Sequence, residues 1–314
     1  MLNSVKMKKT IKIFLANPRG FCAGVKRAVN IVETALNLYG IPIYVHHDII
    51  HNKIVVNKLR DKGIIFVENM DEVPDKAIVI FSAHGVSQAV EKKSLDKKHH
   101  IIDATCPLVK KVHLQAKKLE SQGYNIILIG SKYHPEVIGT CGRIKQKVSV
   151  IEKKSDIKHI LCDNSKKYAY VTQTTLNVEK TNTIIRELKK HIPNIVNSNT
   201  DSICYATQNR QKAVKLMSDI VDTVIVTGDV ASSNTNNLYD IAIKCGVRSY
   251  LVSDRLDMSQ KMLHKCNALG LISSASAPEE LINEVITYIQ QFYDTKVIEM
   301  QGVNEDISFK MPVI

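Results

Sequence analysis

The sequence predicts an α/β protein made of three small α/β units with mostly parallel sheets, arranged as a pseudo-threefold trefoil. Three observations carry this expectation. Strands and helices alternate along the whole chain, one strand–loop–helix pattern occurs three times, and a cysteine holds the same place in each copy. The chain has 314 residues, 44% of them hydrophobic, with only 13 Gly and 8 Pro. That composition suits a globular protein long enough for two or three small domains.

Each copy opens with a short strand, a polar loop carrying cysteine, and an amphipathic helix. In the first, strand 12–16 leads to Gly20-Phe21-Cys22, and the helix places Val25, Ala28, Val29, Val32 and Leu36 on one face. In the second, strand 100–103 leads to Cys106-Pro107, followed by Val109, Val112, Ala116 and Leu119. In the third, strand 194–197 leads to Cys204, followed by Ala213, Met217, Ile220 and Val221. Apolar residues three and four apart mark a single buried face each time.

A second strand follows in each copy and ends in a polar loop. Strand 43–45 runs to His51-Asn52, strand 125–129 to His134-Pro135-Glu136, and strand 223–226 to Ser232-Ser233-Asn234. The interval from cysteine to this loop is 28 or 29 residues in all three. Third strands are expected at 64–67, 148–151 and 249–252. Fourth strands at 77–81, 168–171 and 269–272 run into Ser82-Ala83-His84-Gly85, Thr172-Gln173-Thr174-Thr175 and Ser273-Ser274-Ala275-Ser276. The unit boundaries fall at 1–98, 99–193 and 194–292, and 293–314 reads as a C-terminal tail. Ligands of parallel α/β sheets sit beyond the carboxyl ends of the strands, and these loops are those ends. Residues far apart in sequence are therefore expected to converge on one central site.

The three cysteines stand at or just before helix N-termini, where free N–H groups and the helix dipole favour a thiolate. A lone cysteine is more often a small buried hydrophobe; three at equivalent positions point to metal. Zinc sites with paired C-x2-C ligands and local ferredoxin runs are both absent. Three thiolates from three units would hold three irons of a cubane and leave the fourth open as a Lewis acid. His51, His84, His134, Ser232, Ser233, Asn234 and Ser276 are neutral or weakly cationic donors suited to diphosphate oxygens. Glu136 reads either as a general acid or as a helix N-terminal charge after Pro135. Thr174 and Gln173 read either as groups orienting that carboxyl or a water, or as a turn and cap. Cys141, Cys162, Cys245 and Cys266 break the threefold pattern and read as core or surface thiols. His46, His47, His99 and His100 read as polar strand ends.

The net charge of +12 fits a Lys-rich solvated surface, an anionic substrate, an acidic partner or nucleic acid. Only 5% aromatics and no Trp argue against base stacking. No apolar run approaches the roughly 18–20 residues of a membrane span, and seven scattered cysteines are not a disulfide framework. A cytoplasmic protein, with no membrane or nucleic-acid partner, is expected.

The stretches Leu15-Ala-Asn-Pro-Arg-Gly-Phe-Cys-Ala-Gly24, Phe81-Ser-Ala-His-Gly-Val-Ser87, Asp103-Ala-Thr-Cys-Pro-Leu-Val109, His134-Pro-Glu-Val-Ile-Gly-Thr140, Thr172-Gln-Thr-Thr-Leu176 and Ile203-Cys-Tyr-Ala-Thr207, with His51-Asn52, Ser232-Ser-Asn234 and Ala275-Ser276, resemble the 4-hydroxy-3-methylbut-2-enyl diphosphate reductase family, also called LytB or IspH. The likeness runs from about residue 11 to 312. It implies one 4Fe-4S cluster at the trefoil centre, or 3Fe-4S after oxidation, on Cys22, Cys106 and Cys204. It implies that His51, His84, His134, Ser232, Ser233, Asn234 and Ser276 hold the diphosphate. Glu136 would deliver protons with help from Thr174, which would also contact substrate. Two electrons and two protons would remove the substrate hydroxyl as water and give isopentenyl or dimethylallyl diphosphate, the last step of the non-mevalonate isoprenoid pathway. Ferredoxin or flavodoxin would supply the electrons, and the assembly would be a monomer or homodimer. Ala231, Asn237 and Ile272-Ser273-Ser274 depart from the family's usual residues without removing a proposed ligand. Two other classes compete: a zinc- or iron-dependent hydrolase of a small phosphorylated substrate, and a basic nucleic-acid-binding module.

Overall fold

The computed structural model describes residues 8–160, 163, 165–197 and 202–314; Cys162 and residues 198–201, ahead of Cys204, lie outside them. In chain order the elements are β1 (Thr10–Leu15), α1 (Ala23–Tyr39), β2 (Ile43–His46), α2 (Lys53–Asp61), β3 (Ile64–Val67), β4 (Ile78–Phe81), α3 (Gln88–Asp96), β5 (His100–Asp103), α4 (Pro107–Ser121) and β6 (Tyr124–Ile129). They continue with α5 (Pro135–Cys141), β7 (Ser149–Ile151), β8 (Lys167–Thr172), α6 (Val178–His191), β9 (Val196–Asn197), α7 (Tyr205–Ser218), β10 (Thr223–Thr227), α8 (Ser233–Lys244), β11 (Arg248–Val252), β12 (Ala268–Ser273), α9 (Glu280–Gln290) and β13 (Asp294–Glu299). The expected α/β class holds: the strands form three sheets, and every pairing between them is parallel.

The chain divides into two compact units, Met1–Cys22 with Ala206–Asp306, and Ala23–Tyr205 with Ile307–Ile314. The second unit contains two four-stranded sheets, ordered β3-β2-β4-β5 and β7-β6-β8-β9. The first contains one five-stranded sheet, ordered β11-β10-β12-β1-β13. The three sheets share one plan, but they do not follow the sequence copies strand for strand. The strand that opens each copy pairs with the fourth strand of the copy before it: β5 with β4, β9 with β8, and β1 with β12. The cause is geometric. In each sheet the second strand is paired on both edges, so the open edge of the fourth strand receives an opening strand, the next in sequence at β4 and β8 and the first of the chain at β12. Each sheet thus draws a strand from beyond the sequence breaks near 98 and 193. The tail also differs from expectation, because Asp294–Glu299 pairs with all six residues of β1.

Parallel strands are covered on both faces, so they read as near-continuous apolar runs. Ile126 to Ile129 and Val224 to Val226 are essentially unexposed. In the first unit, alternate residues of each strand feed two cores. Ile13, Ile225 and Leu271 pack with Val285 and Ile289 of α9. Ala16, Val224, Val226 and Ile272 pack with Met217 of α7 and Leu238 of α8. The period of two along a strand produces this division. Each such aliphatic side chain contributes about 1.5–3 kcal/mol on burial. Among the described residues, no helix is long and apolar enough to cross a membrane.

Candidate active site

The order of each sheet reverses between its second and third strands: β2 and β4, β6 and β8, β10 and β12. In open α/β sheets the crevice at such a reversal, beyond the carboxyl ends, is where ligands bind. Every polar loop singled out in the sequence starts there. His51 follows β2 and His84 follows β4. His134 and Glu136 follow β6, and Gln173 and Thr174 follow β8. Ser232, Ser233 and Asn234 follow β10, and Ser274 and Ser276 follow β12. Chain topology, not sequence proximity, assembles these pairs within each sheet.

The cysteines sit one strand further along. Each follows its sheet's fourth position, ahead of α1, α4 or α7. Their backbone N–H groups make equivalent bonds, from Cys22 to the Ala275 carbonyl (3.1 Å), from Cys106 to Ala83 (3.0 Å) and from Cys204 to Thr174 (3.0 Å). The acceptors lie just past β12, β4 and β8, so the threefold repeat reaches individual hydrogen bonds. All three cysteines are half-buried and none is in a disulfide. Cys266 is buried and Cys245 exposed, as core and surface thiols should be, and Cys141 is half-buried. Among the described residues, no three His, Cys, Asp or Glu side chains gather as ligands of a single ion.

In the second unit three histidines form one cluster. The rings of His51 and His84 stack with centroids 4.1 Å apart, and His134 stands edge-on to both, at 4.9 and 5.7 Å. His134 caps α5, its Nδ1 accepting the Glu136 N–H at 3.1 Å. Burial first, then the charge of His51, push the His134 pKa down to about 3. Burial, with His51 and His134 beside it, holds His84 well below the usual histidine range. The neutral His134 ring therefore carries its proton on Nε2, which faces His51 Nε2 at 3.2 Å. His84 and His134 are thus neutral rings that an anion would charge, because a nearby negative group raises imidazole pKa values.

Glu136 is buried, with 2% of its surface exposed. Its Oε1 accepts the Thr174 N–H at 2.7 Å, and its Oε2 lies 2.9 Å from Thr174 Oγ1. Burial outweighs these bonds and raises its pKa to about 7. The carboxyl at the start of α5 is therefore not a solvated helix-end charge. Thr174 also supplies the carbonyl that holds Cys204. Gln173 serves the loop instead. Its Oε1 accepts the Ser131 N–H and its Nε2 donates to Thr175 Oγ1, so it braces the loop rather than the carboxyl.

The first unit presents hydroxyls and an amide. Ser232 caps α8 through the Thr235 N–H (3.3 Å), and Ser276 Oγ donates to Ser232 Oγ (3.2 Å). Asn234 Oδ1 accepts the Ala275 N–H at 3.0 Å. Thus the loop after β10 is tied to the loop after β12, next to the carbonyl that holds Cys22. Ser232, Asn234 and Ser276 are buried and Ser233 is half-buried. An α-helix N-terminus with such side chains is suited to anions.

Sequence reasoning missed Arg27. It lies on the buried face of α1, where its Nη1 donates to the carbonyls of Ala104 (3.4 Å) and Thr105 (3.2 Å), the residues leading to Cys106. An arginine at a core-facing position of an amphipathic helix was the available signal. Gly85, next to His84, was also missed. Its φ is +77°, and a Cβ there would lie 2.7 Å from His113 Cε1 and 3.0 Å from Thr105 Cγ2. Gly85→Ala should cost about 1–3 kcal/mol through strain and overpacking and lower Tm measurably. Gly123→Ala, at φ +83° with open space around it, should cost less; equal losses would refute the packing argument.

The LytB protein family model matches residues 13–290. The chain is 46% identical over 305 residues to the 4-hydroxy-3-methylbut-2-enyl diphosphate reductase of Haemophilus influenzae (strain PittGG), covering 96% of this chain and 97% of that one. It is also 46% identical over 302 residues to the enzyme of the same name from Ruthia magnifica subsp. Calyptogena magnifica, covering 96% and 99%. Its fold is similar to the structure of the E-1-hydroxy-2-methyl-but-2-enyl-4-diphosphate reductase from Plasmodium falciparum, with TM-score 0.91, 38% identity, and 98% and 96% of the two chains covered. A second solved structure, of (E)-4-hydroxy-3-methyl-but-2-enyl diphosphate reductase, the terminal enzyme of the non-mevalonate pathway, matches with TM-score 0.66 and 33% identity, covering 90% of this chain and 99% of that one.

Proposed function

The chain belongs to the LytB protein family, and from that premise we propose that it reduces 4-hydroxy-3-methylbut-2-enyl diphosphate, removing the hydroxyl as water with two electrons and two protons. The products are isopentenyl and dimethylallyl diphosphate, and the step closes the non-mevalonate pathway. The observation that carries this reading is the buried, Thr174-bonded Glu136, raised to about 7, beside a cluster of three histidines and one hydrogen bond removed from Cys204.

The donor set fits an iron–sulfur group. Three half-buried thiols lead three helices at equivalent places, and soft thiolates are what iron–sulfur clusters take. Cys22, Cys106 and Cys204 would hold one 4Fe-4S cluster, which supplies electrons singly and a Lewis-acidic iron. Each cysteine's backbone N–H is spent on a loop carbonyl, which fixes the residue while leaving its sulfur to the metal.

His51, His84, His134, Ser232, Ser233, Asn234 and Ser276 are the proposed diphosphate donors. His84 and His134 begin neutral and take up protons as the anion binds, so binding itself creates the counter-charge. Glu136 is half protonated near pH 7, the best poise for an acid that must give up a proton and recover it. After transfer, the Thr174 N–H and hydroxyl stabilise the carboxylate left behind. A small acidic one-electron carrier of the ferredoxin or flavodoxin type is the proposed donor, consistent with the chain's +12 charge.

The test is anaerobic purification with iron and sulfide analysis, followed by turnover of the diphosphate with a reduced dye. About four irons per chain and formation of both isoprenoid diphosphates are expected. A colourless, iron-free protein that binds zinc and ignores reductant would overturn the reading.

A further inference from the structure

We propose that residues 294–305 are a strap that positions Cys22, with Glu305 and its buried partner Arg210 as positioning residues. The family model stops at residue 290, so the strap lies beyond it. β13 lies along β1 for six residues, and the chain then stays against the loop that carries Cys22. Met300 N–H donates to the Leu15 carbonyl at 2.9 Å. Arg19, three residues before Cys22, donates two bonds to the Glu299 carboxylate, at 2.7 and 2.8 Å. Gly302 passes so close to Asn17 that a Cβ would lie 1.9 Å from its carbonyl oxygen.

The strongest contact is the last. The Arg210 side chain is 1% exposed and that of Glu305 is 12% exposed, and they form an ion pair at 3.2 Å. Asn209 Nδ2 bonds the same carboxylate at 3.1 Å. Arg210 Nη2 then donates to the carbonyl of Gly20, two residues before Cys22, at 2.8 Å, and Nη1 to the Ala206 carbonyl in the first turn of α7 at 3.0 Å. A guanidinium with no solvent access needs its carboxylate. Glu305 therefore keeps Arg210 aimed at the Gly20 carbonyl. Gly20 N–H is held in turn by Ser273 Oγ, and Cys22 N–H by the Ala275 carbonyl. The loop is gripped by the segment after β12 and by the strap, and loss of the Glu305 carboxylate leaves the Ser273 and Ala275 bonds in place.

The functional meaning rests on Cys22 being a cluster ligand. A ligand held in place loses iron slowly, because recapture by a fixed thiolate outpaces escape. Backbone hydrogen exchange in the full-length protein as purified tests the strap without relying on that reading. Glu305→Ala and Gly302→Ala, which displace the strap by different means, should each speed exchange of the Gly20 and Cys22 amides about tenfold, while amides of β10 stay as in the parent. Iron release to a chelator should quicken in both variants. Unchanged exchange at Gly20 and Cys22 in both, or equal acceleration in β10, would overturn the strap. Full iron retention in Cys22→Ser would overturn the ligand reading instead, with the exchange result unaffected.

Discussion

Glu136→Gln should lower turnover of the diphosphate by about 10²–10⁴-fold, the usual contribution of a positioned acid, and leave the bound iron and substrate affinity as they were. The amide preserves the contacts. Gln Oε1 can still accept the Thr174 N–H, and Nε2 can donate to Thr174 Oγ1 in place of the present carboxyl–hydroxyl bond. Only the transferable proton is lost. The same variant carries a second signature in stability. Glu136 has a folded pKa near 7 against an ordinary 4.5, so the folded state binds the extra proton between those values. Stability therefore falls as pH rises through that window, by about 3 kcal/mol for a shift of this size. Gln has no proton to lose, so the variant should match the parent in Tm near pH 4.5 and exceed it increasingly towards pH 8. Normal turnover, or a Tm difference independent of pH, would count against an acid poised by burial.

The opposing sign comes from the histidines. His134 has a folded pKa near 3, and His84 is also depressed, so below about 6.5 the unfolded chain takes up protons that the native cluster refuses. Their contribution to stability is present above that pH and is lost as pH falls. The two effects separate cleanly, because Glu136→Gln removes only the one that grows with rising pH.

How much of this was legible in the sequence depends on the scale at which the information is carried. The alternation of strands and helices, the threefold repeat and the loops at strand carboxyl ends follow from apolar period and turn chemistry, which are local. Sheet membership is not local. Nothing in strand 100–103 says that it will pair with β4 rather than with the strands after it; that is decided by which edge is open. The strand at Asp294–Glu299 was hidden for a related reason. Its side chains are mostly exposed, so it shows little of the apolar pattern by which strands are read. Glu136 stood in view as a carboxylate among inner loops, but its burial against Thr174, a contact across 38 residues, did not. Arg27 and Arg210 were not singled out in the sequence, and each is buried on backbone carbonyls that lead to a cysteine. Charged residues at core-facing positions were the places where the local pattern broke, and they brace the site.

Cys204→Ser should leave a folded protein that cannot keep its cluster, whereas Cys245→Ser should keep it fully. Serine can retain the backbone bond from residue 204 to the Thr174 carbonyl, so the loop need not move. What changes is the donor atom, from a thiolate that iron–sulfur clusters require to a hydroxyl that stays protonated at neutral pH. Cys245 is exposed at the end of α8 and leads no helix into the site. The comparison with Glu136→Gln is informative because Thr174 joins the two residues: its carbonyl holds Cys204 and its N–H and hydroxyl hold Glu136. If the site worked only through that shared scaffold, both substitutions would disturb iron and proton transfer alike. The chemistry predicts a split instead, with iron lost in Cys204→Ser and retained in inactive Glu136→Gln. Iron and sulfide content measured anaerobically on the three variants decides it, and equal iron in Cys204→Ser and Cys245→Ser would rule out Cys204 as a ligand.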